Sequence, residues 1–469
     1  MDAIDTMTDS TMSNLRRGRT PMRTLETLAR RGAVALTALT LVVASGCDDL
    51  LSVENPAQIM EESLDNPQLI PILYNSVIGD FQAMYDDPVI WRGSMFTDEQ
   101  ITGVNWEATA RLSQRMIRFD EGDASGMFGS LSRALVMADS VSGRFRGGLL
   151  PNPSTDARLA TTLTYAGYNY VLMGEIMCEA SIKLSARTYS PEELFAMALE
   201  RFDEAITIAQ AAGSNNVLNF ARTGAARAAL GLGEPSRVMS YASSVPMGFK
   251  WWAEYGNNSA SERNTMWTGV TGANHRIGVH PKFLAGPFGQ QGLVAQQTDP
   301  RVQHTANWTF GHNALTRLYK PYQGLRYGGY NGQTLATGGQ PLLYGPDTNI
   351  LIADGLEAMH HYYEAAGPAG TGPAGTTLEF VNSRRAYGNQ PPVNLSGAAL
   401  MAELRDQRGR DLYLGGFRLG DLRRWKAQGV GDFFPSGTHP TPEWGQYGDA
   451  ECFPLPSTEY EGNPNLTRP

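Results

Sequence analysis

Residues 396–425 read SGAALMAELRDQRGRDLYLGGFRLGDLRRW, and this stretch carries the clearest structural pattern of the chain. Ser396 is a good N-cap in front of a run of helix-forming residues. Leu400, Leu404 and Leu412 follow at i, i+4 and i+12, so they share one face of a helix. The pattern predicts an amphipathic helix whose leucines face a core.

Arg408 lies on the same helical stripe as these leucines. A guanidinium that faces a core requires a carboxylate or carbonyl partner, because burying it unpaired is costly. Asp411 and Asp421 are the nearest candidates along the chain. Gly415-Gly416 predicts a break in the helix, and a second short helix then carries Trp425, which we assign to the core.

The whole stretch resembles the C-terminal signature of the SusD/RagB family of outer-membrane nutrient-binding lipoproteins. The matching positions are Glu403-Leu404, Arg408, Asp411-Leu412, Gly416, Arg418, Asp421-Leu422 and Arg424-Trp425. Two acids of the family pattern are missing, since Gln407 and Gly415 stand in their places. The alternative interpretation is an ordinary amphipathic helix with a solvated charged face.

The N-terminus predicts a lipoprotein signal peptide over residues 1–46, with Met22 as an alternative start. Its apolar run, residues 32–43, is too short to span a bilayer, which needs about 20 residues. The following Ala44-Ser45-Gly46-Cys47 resembles a bacterial lipobox, which implies lipid attachment at Cys47. The alternative is a secreted protein with an incidental cysteine. Asp48-Asp49 leave inner-membrane retention and surface export both open.

The remaining cysteines are Cys178 and Cys452. A disulfide is permitted outside the inner membrane. Cys178 lies in an apolar, helix-like run over residues 168–182, which favours a buried free thiol.

The rest of the chain is predicted to be mostly α. Helical patterns cover residues 130–144, 155–184, 190–206, 219–232 and 348–365. Ser190-Pro191 opens one of these helices as an N-cap with proline at N1. The helix pairs resemble degenerate tetratricopeptide units. Residues 91–106 lack helical periodicity and are interpreted as a surface loop, and residues 367–375, GPAGTGPAG, as a flexible segment.

Family resemblance extends to the C-terminal tail, where residues 452–466 are similar to the family's "fPIP..E...NPnL". The resemblance implies one SusD-like domain over residues 47–469. Its helical scaffold would cover about 55–244 and 346–430, with a loop-rich aromatic region at 245–345 and a tail at 431–469. The predicted fold is an α-helical scaffold of tetratricopeptide-type helix pairs with a loop-rich ligand-binding lobe.

Aromatic side chains on loops provide the positive functional signal. Indole and phenol rings stack on the C–H faces of sugars, while amide and carboxylate groups bind the hydroxyls. The candidate ligand contacts are Asn105, Trp106, Trp252, Trp267, Trp308, Tyr319 and Tyr327. For the tryptophans the alternative is burial in a core, because tryptophan is highly buried on average.

Catalytic signatures such as GxSxG, HExxH, a P-loop or an EF-hand are missing from the sequence. His275, His280, His304 and His312 fit no metal-ligand spacing, and His360-His361 are adjacent on a helix and cannot face one ligand together. We therefore predict no catalytic residue, metal or cofactor. An acid pair for glycoside hydrolysis stays open, because geometry and not spacing sets such pairs. The net charge of −9 and the lack of a basic block outside the leader argue against nucleic acid as a partner.

The resemblance implies a cell-surface lipoprotein of the outer membrane. Such a protein captures a nutrient, most often an oligosaccharide, and delivers it to a SusC-like TonB-dependent transporter. Two alternatives remain from the residues alone. One is a helical-repeat scaffold lipoprotein that binds protein partners, and the other is a surface glycan hydrolase.

Overall fold

The structure is a computed structural model that describes residues 63–270, 276–284, 299–305, 307–324, 326 and 343–467. Helices predominate in these residues. The α-helices are α1 Ile70–Met84, α2 Gly93–Phe96, α3 Glu107–Ser113, α4 Gly122–Arg144, α5 Ala157–Ile176, α6 Pro191–Ala211, α7 Asn215–Gly231, α8 Pro235–Ala242, α9 Thr265–Val270, α10 Pro281–Leu284, α11 Gly355–Ala366, α12 Thr377–Tyr387, α13 Gly397–Asp411, α14 Arg418–Ala427 and α15 Ser457–Gly462. The prediction of a mostly α fold is confirmed.

The strands are short and pair only in twos within the described residues. They are β1 Gln100–Thr102, β2 Lys250–Ala253, β3 Ile277–Val279, β4 Thr309–Phe310, β5 Arg317–Leu318, β6 Ile350–Asp354, β7 Thr371–Gly372 and β8 Gly375–Thr376. The antiparallel pairs are β1–β3, β2–β6, β4–β5 and β7–β8. Wider π-helical turns at Tyr85–Arg92 and Phe145–Leu149 continue α1 and α4.

Helices α4 to α8 pack in chain order, each against the next. Helix α6 begins with the predicted cap, in which Ser190 and Glu193 form a reciprocal capping box. It presents Phe195 and Phe202 on one face, and both rings are buried. Four glycines of α5 and α7 make room for these rings, namely Gly167 and Gly224 at Phe202, and Gly174 and Gly231 at Phe195. The small residues of α5 and α7 therefore allow these helices to approach α6 closely.

Helices α13 and α14 contain the C-terminal signature. The guanidinium of Arg408 donates two hydrogen bonds to Asp421, 2.7 and 3.0 Å long, and Arg408 is 2% exposed. Trp425 is buried as predicted, and its indole N–H donates to Glu364. Ser396 occupies the N-cap position, although its side chain makes no capping hydrogen bond. Helix α13 ends at Asp411, ahead of the predicted glycine break.

Several helical or loop assignments from the sequence are wrong. Residues 91–106 are not a surface loop, because they contain α2 and β1 and are largely buried. Strand β1 pairs with β3, which satisfies its backbone hydrogen bonds inside the protein. Within the predicted helix 348–365, the first part is strand β6, because it pairs with β2; the helix begins only at Gly355.

Residues 367–375 are also more regular than predicted. Strands β7 and β8 form a small antiparallel hairpin here. The hydroxyl of Tyr363 donates to the carbonyl of Gly375 and accepts from the backbone N–H of Ala374. These contacts hold the hairpin against α11.

Cys178 and Cys452 form a disulfide, which corrects the prediction of a free thiol at Cys178. Helix α5 ends at Ile176, so Cys178 lies beyond the helix and not within it. The backbones run side by side here, since the N–H of Cys178 donates to the carbonyl of Phe453. This register brings the two Cα atoms to 5.0 Å, which is within the range of a disulfide.

Among the described residues, no helix combines the length and apolarity required to cross a membrane.

Candidate functional site

Trp91 and Trp106 line one cleft from opposite ends of the segment that contains α2 and β1. The guanidinium carbon of Arg276 lies 5.9 Å from the ring centre of Trp91 and 4.9 Å from that of Trp106. Trp106 is 46% exposed, so much of its ring is free to meet a ligand. The cleft has a volume of about 280 Å³, close to the lower end of small-molecule sites.

The strand pair β1–β3 fixes the position of Arg276. Its carbonyl accepts hydrogen bonds from the backbone N–H of Gly103 at 2.7 Å and from the hydroxyl of Thr102 at 3.0 Å. Its own N–H donates to the carbonyl of Gly269 in α9 at 2.9 Å. The arginine is therefore attached to both sides of the cleft through its backbone.

Carboxylates provide negative charge at the cleft, opposite to the positive charge of Arg276. Arg92, which also lines it, forms ion pairs with Asp123 at 3.1 Å and with Asp87 at 3.6 Å. Burial raises the pKa of Asp87, and the nearby Arg92 opposes this effect. The wall is thus polar and mixed in charge, which suits a neutral ligand that carries many hydroxyl groups.

Three buried polar atoms of the lining residues have no hydrogen-bond partner in the described part of the chain. They are Oδ1 of Asp87, the indole N–H of Trp91 and the Nε–H of Arg276. A buried donor or acceptor without a partner costs about 1–3 kcal/mol. Two donors and one acceptor beside aromatic rings match a sugar, whose hydroxyls both accept and donate.

Asp86, which precedes Asp87, has a pKa that rises into the neutral range. Burial raises its pKa to about 7, although the N–H groups of Thr265 and Asp87 donate to its oxygens. A raised carboxyl pKa is also a property of general acids in glycosidases. However, Asp86 is 2% exposed and is not a lining residue of the cleft. Its carboxyl is therefore not placed to protonate a bound sugar.

The β4–β5 hairpin lies beside Trp106. Its turn places the ring of His312 5.9 Å from the ring of Trp106, and the N–H of Asn313 donates to the carbonyl of Gly103 at 2.8 Å. The hairpin also exposes Phe310, which is 52% accessible. The hairpin thus extends the aromatic surface at the rim of the cleft.

Four of the predicted ligand contacts lie on segments that line or border the cleft. Asn105 and Trp106 lie exposed at the rim, and Trp267 lies on α9, whose Thr265 and Thr268 line the cleft. Trp308 lies at the start of the β4–β5 hairpin, with the Arg317 guanidinium 4.5 Å from its ring centre.

The other predicted contacts are not brought into the cleft. Trp252 belongs to the separate sheet β2–β6, and Tyr319 packs on His304 with ring centres 5.4 Å apart. Tyr327 and Cys47 lie outside the described residues.

Sequence reasoning missed Trp91 and Arg276. Trp91 was visible as the first residue of the stretch that ends in Trp106, but the stretch was interpreted as a loop with one functional end. Arg276 gives no signal of its own, because it reaches the cleft only through the pairing of β1 with β3. That pairing joins segments far apart in the chain.

Four of the histidines in the described part of the chain, His280, His304, His360 and His361, serve as hydrogen-bonding residues. His280 pairs with the hydroxyl of Tyr447, and the ring nitrogens of His304 lie within hydrogen-bond distance of two carbonyl groups. His360 and His361 are buried beside Asp411 and Glu357, respectively. The described residues contain no group of three or more potential ligands that could hold a metal ion. His275 lies outside them.

Comparison with models of protein families gave no match, and comparison with curated proteins gave none either. Solved structures do match. A SusD superfamily protein from Bacteroides vulgatus ATCC 8482 is 13% identical, with a TM-score of 0.64 over 86% of this chain and 98% of that chain. A SusD-like carbohydrate binding protein from the same organism is 10% identical, with a TM-score of 0.58 over 86% and 97%.

A third structure, described with xylogluco-oligosaccharide, is 13% identical, with a TM-score of 0.59 over 86% of this chain and 98% of that chain. Likeness at these identities establishes architecture and not function. The agreement extends over nearly the full length of each relative and confirms the fold implied by the C-terminal signature. This chain therefore has the fold of the SusD superfamily.

Proposed function

We propose that this protein is a cell-surface lipoprotein that binds an oligosaccharide and passes it to a SusC-like TonB-dependent transporter. The observation that carries the proposal is the cleft between Trp91 and Trp106, in which Arg276 lies between the two rings. Stacking faces and unpaired buried donors in one cleft are suited to a sugar. Binding of this kind requires no covalent step, so the proposed function is not catalytic.

Two further observations support the proposal, one from the solved structures and one from this chain. Among the solved structures with this fold, one is described as carbohydrate binding, and another is described with xylogluco-oligosaccharide. The disulfide between Cys178 and Cys452 is of the kind that persists in oxidising compartments. It is consistent with a position outside the inner membrane, as the lipobox-like Cys47 also implies.

Isothermal titration with xylogluco-oligosaccharide and a panel of other neutral oligosaccharides tests the ligand class. Trp106→Ala is expected to weaken binding at least tenfold, equivalent to about 1.4 kcal/mol, because it removes an exposed stacking face. Trp252→Ala is the matched control, since this half-buried tryptophan lies in a different sheet and is expected to leave affinity unchanged. Equal losses in both variants, or no oligosaccharide bound, would contradict the proposal.

The transporter and the anchor require a separate experiment. Tagged, full-length protein is cross-linked in its native membrane, solubilised in mild detergent and purified. A stoichiometric large β-barrel is expected to accompany it, and Cys47→Ser is expected to release the protein from the membrane fraction. If no barrel is recovered, the result favours the alternative function, a scaffold lipoprotein that binds other protein partners.

A further inference from the structure

A second cavity, of about 250 Å³, lies between α5, α6, α7 and α14. It shares no lining residue with the cleft at Trp91 and Trp106. Phe195 and Leu230 give it an apolar wall, and Ala427 lies at its solvent-exposed side. Its volume is below that of sites for drug-sized ligands, so it is suited to a molecule of a few heavy atoms.

Arg423 supplies positive charge to this cavity. Its Nη1 group donates to the carbonyls of Gly174, Glu175 and Met177 at 2.8–3.0 Å. No carboxylate among the described residues forms an ion pair with it. Burial lowers the pKa of Arg423 to about 10, so the side chain is still a cation at neutral pH. Glu175, Glu192 and Glu451 also line the cavity, and their charges oppose the effect of burial on the pKa of Arg423 without forming an ion pair with it.

Arg227 is a second cationic residue in the wall of the cavity, and it has an unused donor. The side chain is 3% exposed, and its Nε and Nη2 groups donate to the two carboxylate oxygens of Glu175 at 2.8 and 2.5 Å. Its Nη1 is buried and has no acceptor in the described part of the chain. Since an unsatisfied buried donor on a charged group is costly, an acceptor from a ligand would stabilise this arrangement.

The position of Arg227 depends on a close approach between helices. Gly420 of α14 faces the side chain of Glu175, and a Cβ on Gly420 would lie 2.7 Å from the carboxyl carbon. The absence of this Cβ allows Glu175 to hold Arg227 in the cavity wall. The arginine is thus fixed before any ligand binds, which lowers the entropic cost of binding.

We propose that this cavity binds a small organic carboxylate. Its carboxylate group accepts hydrogen bonds from Arg227 and Arg423, and its short apolar body packs on Phe195 and Leu230. The guanidinium geometry suits both carboxylate and phosphate oxygens. The apolar wall favours the carboxylate, because a free phosphate has no hydrocarbon part to bury.

Hexanoate is a suitable probe, with hexan-1-ol as its uncharged counterpart of the same chain length. Titration of the purified protein, followed by calorimetry and by ligand-observed NMR, is expected to give one hexanoate site with at least tenfold higher affinity than for the alcohol. Ala427→Trp is expected to weaken hexanoate binding at least tenfold by filling the exposed side of the cavity. Ala211→Trp is the matched control, because Ala211 is an exposed alanine at the end of another helix.

Absence of hexanoate binding, or binding that Ala427→Trp leaves unchanged, would overturn the proposal. Arg423→Gln supplies an independent test of charge, since it is expected to lower hexanoate affinity to that of the alcohol without changing the alcohol's affinity. Equal affinity of hexanoate and alcohol in the unmodified protein would rule out an anion site. Displacement of hexanoate by inorganic phosphate of equal affinity would contradict the role assigned to the apolar wall.

Discussion

The guanidinium of Arg418 donates two hydrogen bonds to the carboxylate of Asp98, at 2.6 and 2.7 Å, across a separation of 320 residues. Lys282 makes a further ion pair with the same carboxylate. Asp98 and Arg418 are both buried. The pair therefore joins the C-terminal signature helix α14 to the segment that leads into β1, one wall of the candidate cleft.

Asp98→Asn is expected to lower the free energy of unfolding by about 3–5 kcal/mol, because it removes the carboxylate that pairs with the buried Arg418 and the half-buried Lys282. Burial opposes the ionisation of Asp98, but Arg418 and Lys282 outweigh it and hold its pKa well below the usual range. The stabilisation is therefore present above pH about 3.9 and is lost as the pH falls further. Urea unfolding at neutral pH measures the loss. Asp120→Asn, in an exposed pair with Arg118, is the control and is expected to have little effect.

Glu99→Gln is expected to stabilise the protein at high pH. Burial raises the pKa of Glu99 to about 8, although the N–H of Leu414 donates to its carboxylate. The folded protein thus keeps a proton that the unfolded chain has lost, and its stability falls as the pH rises from about 4.3 to about 8. The variant lacks this dependence of stability on pH. The effect on the free energy of unfolding is roughly 1.4 kcal/mol for each unit by which folding raises the pKa.

Unfolding experiments at pH 4.5 and pH 8.5 test this expectation. The gain of Glu99→Gln over the unmodified protein should be larger at pH 8.5. Glu200→Gln, at an exposed position of α6, is expected to give the same small difference at both values. A gain at Glu99 that does not change with pH would refute the explanation by burial.

Gly167→Ala is expected to destabilise the helix packing by about 1–3 kcal/mol through overpacking. A Cβ at this position would lie 2.6 Å from the ring of Phe202. Gly129→Ala is the opposite case, because a methyl group added to this exposed glycine of α4 would meet no atom within 4 Å. This variant should gain up to about 1 kcal/mol in the free energy of unfolding, because alanine favours the helix more than glycine does. Thermal unfolding of both variants distinguishes the cases. Destabilisation at both positions would indicate a general loss of flexibility instead of a collision with Phe202.

Reduction of the Cys178–Cys452 disulfide is expected to cost about 2–4 kcal/mol, because it frees a long loop of the unfolded chain. Thermal unfolding with and without a thiol reductant measures this loss. The double variant Cys178→Ala, Cys452→Ala should unfold at a lower temperature and show no response to the reductant. A full response in that variant would mean that the reductant acts elsewhere.

Local patterns predicted the helices, because the necessary information lies within one or two turns. The cap at Ser190 and the buried face of Leu400 and Leu404 are examples. Burial of Asp98 was not predictable in this way, because its partner Arg418 is 320 residues away. The polar residues of the segment around β1 therefore suggested a surface loop, whereas they form the interior of the protein.

The candidate site was predictable in part for the same reason. Trp106 was identified because it is an aromatic residue in a polar stretch that was interpreted as a surface loop. Arg276 was not, since it faces Trp91 and Trp106 only after β1 and β3 have paired. Trp252 was chosen for its composition alone, and a strand pairing places it in another sheet.

The bond between Cys178 and Cys452 also affects how the protein responds to cleavage. Its two cysteines are 274 residues apart, so they enclose most of the described chain. A single cut by a protease at any point between them leaves the two fragments in one covalent molecule. Because helices α6 to α14 lie inside this interval, a nicked protein would keep its mass on a non-reducing gel and separate into fragments only after reduction.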